Sequence, residues 1–179
     1  MSMHNNAERY GSLSIALHWV MVLLIAAVYA CIELREWYPK GSAPREVLKT
    51  WHFMLGLSVF ALVWVRLAVF RLRPAPAIHP EPPRWQMLLA RLMHVALYGL
   101  MIAMPLVGWV LLSAGGKPIP FFGLELPPLV AESRNLSWQL KDWHETGGQI
   151  GYFLIGLHAA AALFHHHVVR DDTLRRMLP

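Results

Sequence analysis

The sequence contains few charged residues and almost no cysteine. Asp, Glu, Lys and Arg make up 15% of the 179 residues and hydrophobic residues make up 56%, against roughly 25% and 45–50% in soluble domains. A disordered chain would be polar and highly charged, so that class is excluded. The single cysteine, Cys31, excludes a disulfide-stapled secreted domain. Because most apolar residues stand in long runs, the composition indicates an integral membrane protein rather than a soluble enzyme.

Common enzyme motifs are absent as well. There is no phosphate-binding glycine loop, no H-E-x-x-H zinc signature and no nucleophile elbow. The net charge of +5 does not indicate nucleic-acid binding, because the basic residues lie mainly near the ends of the apolar runs and between them, where they meet lipid headgroups. We therefore expect membrane lipid around the chain and no nucleic-acid partner.

Four apolar segments are long enough to cross a membrane, which takes about 20 residues. They cover about residues 13–32, 51–70, 88–112 and 143–169. Lipid offers the backbone no hydrogen-bond partner, so each segment is predicted to be a helix. The predicted fold is all-α, a four-helix transmembrane bundle, with residues 1–179 forming a single integral-membrane domain. The long connection at 113–142 is expected to include a short surface helix.

The orientation follows from the first segment and from the basic residues. The first segment is longer than the apolar core of a signal peptide, about 7–15 residues, and is expected to be retained. Four spans place both termini on one side, which holds nine Lys and Arg residues against seven opposite. The excess of positive charge predicts that the termini are cytoplasmic.

Five of the ten histidines lie inside the apolar segments or at their rims: His18, His52, His94, His144 and His158. An ionisable side chain is costly there and therefore indicates function, although any single one can simply bond a neighbouring helix. His144 and His158 are fourteen residues apart, about 21 Å along a helix and close to four full turns. They share one face at two depths. The outer level then holds His52 and His144, and the inner level holds the other three.

Histidines that face each other across a bundle at two levels indicate two b-type haems, each bound through iron by two imidazoles. The C-x-x-C-H attachment signature is absent, so the haems would be non-covalent. Small residues follow the ligands, including Gly56 and Gly148, and leave room for a flat macrocycle, although they also suit ordinary helix packing. The competing interpretation is a histidine-dependent proton or metal transporter. Such a protein would use carboxylates, and the apolar helix interiors contain none.

Four segments resemble those of the bacterial four-helix dihaem cytochrome b561 family: SIALHW at 14–19, WHFMLG at 51–56, LKDWHE at 140–145 and GYFLIGLHAAAALFHH at 151–166. The resemblance extends from Leu13 to Pro179. It implies that His18 pairs with His158 and that His52 pairs with His144. It thereby selects His18 over His94 as the inner ligand, a choice that depth alone leaves open.

Within this family the similarity is greatest to members that oxidise periplasmic superoxide and reduce ubiquinone in the bacterial inner membrane. The resemblance implies that Lys141 and Arg35 lie near the outer haem, where they would attract the anion. Because histidines would saturate both irons, superoxide could not bind them and electron transfer would be outer-sphere. An alternative is a cytochrome b subunit that relays electrons between another respiratory dehydrogenase or hydrogenase and quinone. The chain shows no extension for docking such a partner, so no obligatory protein partner is expected.

One further histidine is a candidate for the quinone site. His165 follows His158 by seven residues and shares its helix face, so we predict that it hydrogen-bonds ubiquinone beside the inner haem. The alternative is a side chain that only reaches lipid headgroups. Arg66 and Arg71, at the inner end of the second segment, are candidates to hold a haem propionate or the quinone headgroup.

Overall fold

The computed structural model describes residues 9–72 and 75–178, and four long helices dominate it. They are α1 (Ser12–Leu34), α2 (Ala43–Leu72), α3 (Arg84–Ala114) and α4 (Arg134–Phe164). Each helix is long and apolar enough to cross a membrane. The predicted all-α four-helix bundle is confirmed, and each of the first three predicted spans lies inside one helix.

Consecutive helices pack against each other, α1 on α2, α2 on α3 and α3 on α4. The two chain termini meet at one end of the bundle, where Arg9 donates to the carbonyl of Leu178 at 2.5 Å and Trp19 donates to the carbonyl of Met177 at 2.8 Å. We call this the terminal end. It also contains the connection between α2 and α3. The opposite end carries the segments 35–42 and 115–133 and is called the loop end.

The surface and the centre of the bundle are both apolar. Large exposed side chains such as Leu23, Trp64 and Phe153 cover the outward faces, as expected of helices that face lipid. Met21, Val59 and Val63 are buried between α1, α2 and α3. On α2 this buried layer lies between His52 and Arg66, so it separates the polar groups at the two ends of the bundle.

The connection between α3 and α4 differs from the sequence prediction, because it contains no separate surface helix. It forms a hairpin of β1 (Pro120–Phe121) and β2 (Leu124–Glu125). The hairpin turns at Phe122 (φ 48°) and Gly123 (φ 87°), the left-handed pair of a type I′ turn. Prolines at 118, 120, 127 and 128 oppose a helix here.

Helix α4 starts earlier than its predicted span. Its N-cap is Ser133, whose side-chain oxygen accepts a hydrogen bond from the Leu136 amide, as a favourable N-cap does. Residues 134–142 therefore form the first turns of α4 itself. The hairpin is held to the loop end by Ile119, which is buried against Leu57 and Leu112.

The C-terminal segment 170–178 ties α4 to the α2–α3 connection. A π-helical turn at His165–Val169 ends α4, and Arg170 adopts a left-handed conformation (φ 62°) that reverses the chain. The buried Arg176 donates to the carbonyls of Pro76 at 2.5 Å and Ala77 at 3.1 Å. Asp172 exchanges two hydrogen bonds with the backbone of His79. The tail thus closes the terminal end of the bundle.

Replacing the buried arginine tests this closure. Arg176→Ala leaves two carbonyls without their donor, and we expect it to lower the free energy of unfolding by about 2–3 kcal/mol. Arg175→Ala is the matched control, because that side chain is exposed, and its effect should stay within about 0.5 kcal/mol. Denaturant unfolding of the detergent-solubilised protein measures both. Equal stability of the two variants would contradict the role assigned to Arg176.

Candidate functional site

Two histidines face each other near the loop end. His52 on α2 and His144 on α4 have ring centres 6.1 Å apart; we call them the loop pair. The Nδ1 atom of His52 lies 3.0 Å from the carbonyl oxygen of Val28 on α1. A carbonyl only accepts, so Nδ1 carries the hydrogen and Nε2 keeps a free lone pair. Metal-binding histidines are commonly oriented by such a hydrogen bond.

Glycines leave open space beside the loop pair. Gly56 and Gly148 each follow one of the two histidines by four residues, one helical turn further along the same face. A Cβ atom built on either glycine would meet no atom within 4 Å. Gly108 on α3 closes the other side, since a Cβ there would lie 3.2 Å from the His144 ring. The loop pair therefore has room for a flat group on the side of Gly56 and Gly148, whereas α3 packs tightly against His144 at Gly108.

Three histidines meet closer to the terminal end. The ring of His158 on α4 lies 6.4 Å from that of His18 on α1 and 5.7 Å from that of His94 on α3, measured between ring centres. The structure thus brings together all three histidines predicted at this depth. It places both His18 and His94 beside His158 and leaves the choice of ligand open.

Helix α2 contributes an arginine at this level. Arg66 follows His52 by fourteen residues, the same spacing that separates the two histidines of α4. Its Nε donates to the hydroxyl of Tyr98 at 3.1 Å, and its Nη2 lies 3.0 Å from Nδ1 of His18. We call His18, His94, His158, Arg66 and Tyr98 the terminal cluster.

Within the part of the chain that the structure describes, not every hydrogen-bond donor of the Arg66 guanidinium has a partner. Its Nη1 atom is buried, and among the described residues no atom accepts a hydrogen bond from it. A guanidinium donates only, so Nδ1 of His18 acts as acceptor in this arrangement. Binding of a metal by Nε2 of His18 would shift the ring hydrogen to Nδ1 and release Arg66. An anionic group such as a carboxylate would then satisfy the guanidinium.

The two cations predicted to attract an anion lie at the loop end, and both form ion pairs. Nζ of Lys141 is 2.9 Å from Glu145, and Nε of Arg35 is 2.9 Å from Glu36. The side chains of Lys141 and Glu145 are 65% and 52% exposed, so their pair is weak and opens readily.

The remaining predicted site residue, His165, lies at the terminal end in the π-helical turn that follows α4. Its Nδ1 is 2.5 Å from a carboxylate oxygen of Asp171. No sequence pattern predicts this partner, because the contact depends on the chain reversal at Arg170. The prediction placed His165 at this end of the bundle but named no residue that orients it.

Two other residues were missed although the sequence carried a signal for each. Tyr98 follows His94 by four residues, so both lie on one face of α3. Lys49 precedes His52 by three residues, as Lys141 precedes His144, and it also pairs with a glutamate, Glu46, at 2.7 Å. The loop pair is therefore flanked by a lysine on each of its two helices.

The separations in both groups suit a shared metal. Imidazole nitrogens bind a metal at about 2.0 Å, so two rings on opposite sides of one ion have centres roughly 6 Å apart. The loop pair and the contacts of His158 match this distance. The open space at Gly56 and Gly148 fits a flat ring around the metal. Four spanning helices with these sites define a membrane protein of the cytochrome b class.

The chain belongs to the prokaryotic cytochrome b561 family, whose model matches residues 9–179. It is 42% identical to cytochrome b561 homolog 1 of Escherichia coli over 172 residues, which cover 96% of this chain and 98% of that protein. It is 36% identical to the probable superoxide oxidase CybB of Yersinia pestis, with 96% and 97% covered. Cytochrome b561 homolog 2 of Escherichia coli is 31% identical, with 99% and 95% covered.

These findings confirm the family predicted from the four sequence segments. They also confirm the coarser functional prediction of membrane electron transfer with b-type haem.

Filling the open space beside the loop pair should exclude haem without unfolding the helices. We expect Gly148→Leu and Gly56→Leu each to lower the haem absorbance per chain, because a larger side chain occupies the space one turn from the histidines. Gly156→Leu is the control, since Gly156 is exposed on α4 and also has open space. Haem content and helical circular dichroism measure the two effects separately. Full haem content in both test variants would show that the group does not extend over these glycines.

Proposed function

We propose that this chain is a dihaem membrane cytochrome b that oxidises superoxide at the loop end and reduces ubiquinone at the terminal end. The observation that carries the proposal is the facing of histidines at two levels of one spanning bundle. The relative named as a probable superoxide oxidase, 36% identical over nearly the whole chain, supports superoxide as donor. The protein would lie in a bacterial inner membrane with cytoplasmic termini, so the loop end would face the periplasm.

The loop pair would hold one haem, and His158 with His18 would hold the other, as the family resemblance implies. Bound haem supplies iron that gains and loses one electron reversibly. Two histidines would hold each iron, so superoxide would have no open coordination position to bind. The part of the protein is therefore to attract the anion, to position it near the loop pair and to set the electrostatic surroundings.

The stoichiometry follows from the two substrates. Each superoxide gives up one electron and becomes oxygen, whereas ubiquinone takes up two electrons and two protons to become the quinol. Two superoxide ions are thus consumed for each quinol formed. Lys141 and Arg35 would attract superoxide at the loop end, and His165 would hydrogen-bond a quinone carbonyl at the terminal end. Lipid surrounds the bundle in this proposal, and no protein partner is needed for either half-reaction.

Single histidine replacements test the ligand assignment. His52→Ala or His144→Ala should remove one haem and spare the other, because the two levels are separate. His18→Ala should remove the second haem, whereas His94→Ala should keep two low-spin haems. Haem content and the visible spectrum of each purified variant provide the measurement, with His79→Ala, at the exposed His79, as control.

Two results would contradict this assignment. Loss of haem in His94→Ala with retention in His18→Ala would show that α3 rather than α1 supplies the ligand. A colourless wild-type protein that binds zinc would exclude the haem proposal altogether.

Because Lys141 and Glu145 form an ion pair, replacing one or the other should change the rate of reduction by superoxide in opposite directions. Glu145→Gln should speed the reduction of the protein by superoxide, because it frees Lys141, whereas Lys141→Gln should slow it. Both effects should shrink at high ionic strength, since exposed charges are screened. Rapid mixing or pulse generation of superoxide at low and high salt measures the rates. Arg175→Gln, the same loss of positive charge at the terminal end, should have little effect; an equal effect would refute local steering at the loop end.

A further inference from the structure

A histidine and a buried carboxylate form a pair at the terminal end. His165 stands at the start of the π-helical turn, and Asp171 returns to it because the chain reverses at Arg170. The Asp171 amide also donates to the His165 carbonyl at 3.2 Å. The carboxylate is 0% exposed, whereas the His165 side chain is 19% exposed. The pair therefore has a buried acidic member and an imidazole that water or a ligand can reach.

The contact determines which nitrogen of His165 is available. Nδ1 lies 2.5 Å from Oδ2 of Asp171, and an ionised carboxylate only accepts, so Nδ1 carries a hydrogen. Nε2 is then the atom left to take up and give away a proton. Burial raises the pKa of the Asp171 carboxyl, but the hydrogen bonds from His165 and Thr173 outweigh burial and hold it below its usual value. Asp171 thus favours its ionised form, which is the form that accepts the hydrogen bond from His165.

Quinone reduction needs a side chain that can donate protons. Two protons must reach the quinone oxygens for every two electrons. The interiors of the apolar segments supply no carboxylate, since Glu145 lies at the loop end, away from this site. A histidine held by a buried carboxylate is suited to proton transfer, because the carboxylate fixes the tautomer and stabilises the imidazolium that forms.

We infer that His165 and Asp171 deliver protons to the quinone, with His165 as the donor and Asp171 as its positioning residue. This inference rests on the proposed function. The Nε2–H bond of His165 breaks as a new O–H bond forms on a quinone carbonyl oxygen, while electrons that originate from superoxide enter the quinone. His165 is reprotonated from the aqueous side and acts once for each of the two protons. The charge of Asp171 does not change over the cycle.

The neighbouring aspartate provides a matched control. Asp172 bonds the backbone of His79 and lies 3.4 Å from Arg176, so it holds the tail through partners other than His165. Asp171 also accepts from the Thr173 amide at 2.9 Å. Asp171→Asn keeps an oxygen of the same shape for that amide, but it places a donating NH2 group opposite Nδ1 of His165. The variant therefore removes both the charge and the acceptor that fix the tautomer of His165.

The experiment uses the full-length haem-loaded protein. Superoxide first reduces the haems, and ubiquinone-1 is then added while haem reoxidation is followed. We expect Asp171→Asn to leave reduction by superoxide unchanged and to slow reoxidation about 100-fold, the size of a typical general-acid contribution. The solvent deuterium isotope effect on reoxidation should increase in this variant. Asp172→Asn should reoxidise at the wild-type rate.

Further variants keep the inference testable if Asp171→Asn does not take up haem. His165→Gln retains a hydrogen-bonding side chain but cannot relay a proton, so it should slow reoxidation to the same degree. Combining it with Asp171→Asn should add no further loss. Wild-type reoxidation in either variant, or equal slowing by Asp171→Asn and Asp172→Asn, would overturn the inference. If quinone fails to reoxidise even the wild-type protein, the proposed function itself is wrong.

Discussion

The structure depends on the cost of placing ionisable side chains inside lipid. A histidine or arginine in a spanning helix must find a partner within the bundle, because lipid supplies neither hydrogen bonds nor counter-charge. The four helices meet this requirement at two levels. At one level His52 faces His144, and at the other His158 faces His18 and His94. Arg66 contacts both His18 and Tyr98 at this second level. The apolar layer of Met21, Val59 and Val63 separates the levels.

Much of this arrangement follows from the sequence because it depends on helical periodicity alone. The lengths of the apolar runs predict the four helices, and the fourteen-residue spacing of His144 and His158 predicts two levels. The same spacing between His52 and Arg66 indicates that these two side chains share one face of α2 at two depths. Periodicity does not choose between His18 and His94, because both lie at the correct depth. The choice depends on small rotations of α1 and α3, which helical periodicity does not specify.

The ends of the bundle were harder to predict, since their contacts depend on chain reversals rather than on helical spacing. The hairpin at 120–125 replaces the expected surface helix because prolines and a left-handed turn favour it. The contact of Asp171 with His165 requires the left-handed conformation of Arg170. The pairing of Lys141 with Glu145 is local to one helix turn. This ion pair alters the role predicted for Lys141, because Glu145 partly compensates the lysine charge until the exposed pair opens.

The haem content of the purified wild-type protein tests the central claim most directly. Chemical determination of haem against protein concentration, with an electron paramagnetic resonance spectrum of the oxidised sample, gives both the number of haems and their ligation. Two histidine-bound levels predict two b haems per chain, both low-spin. One haem per chain, or a high-spin iron with an open coordination position, would contradict the account in which facing histidines at both levels hold the cofactors.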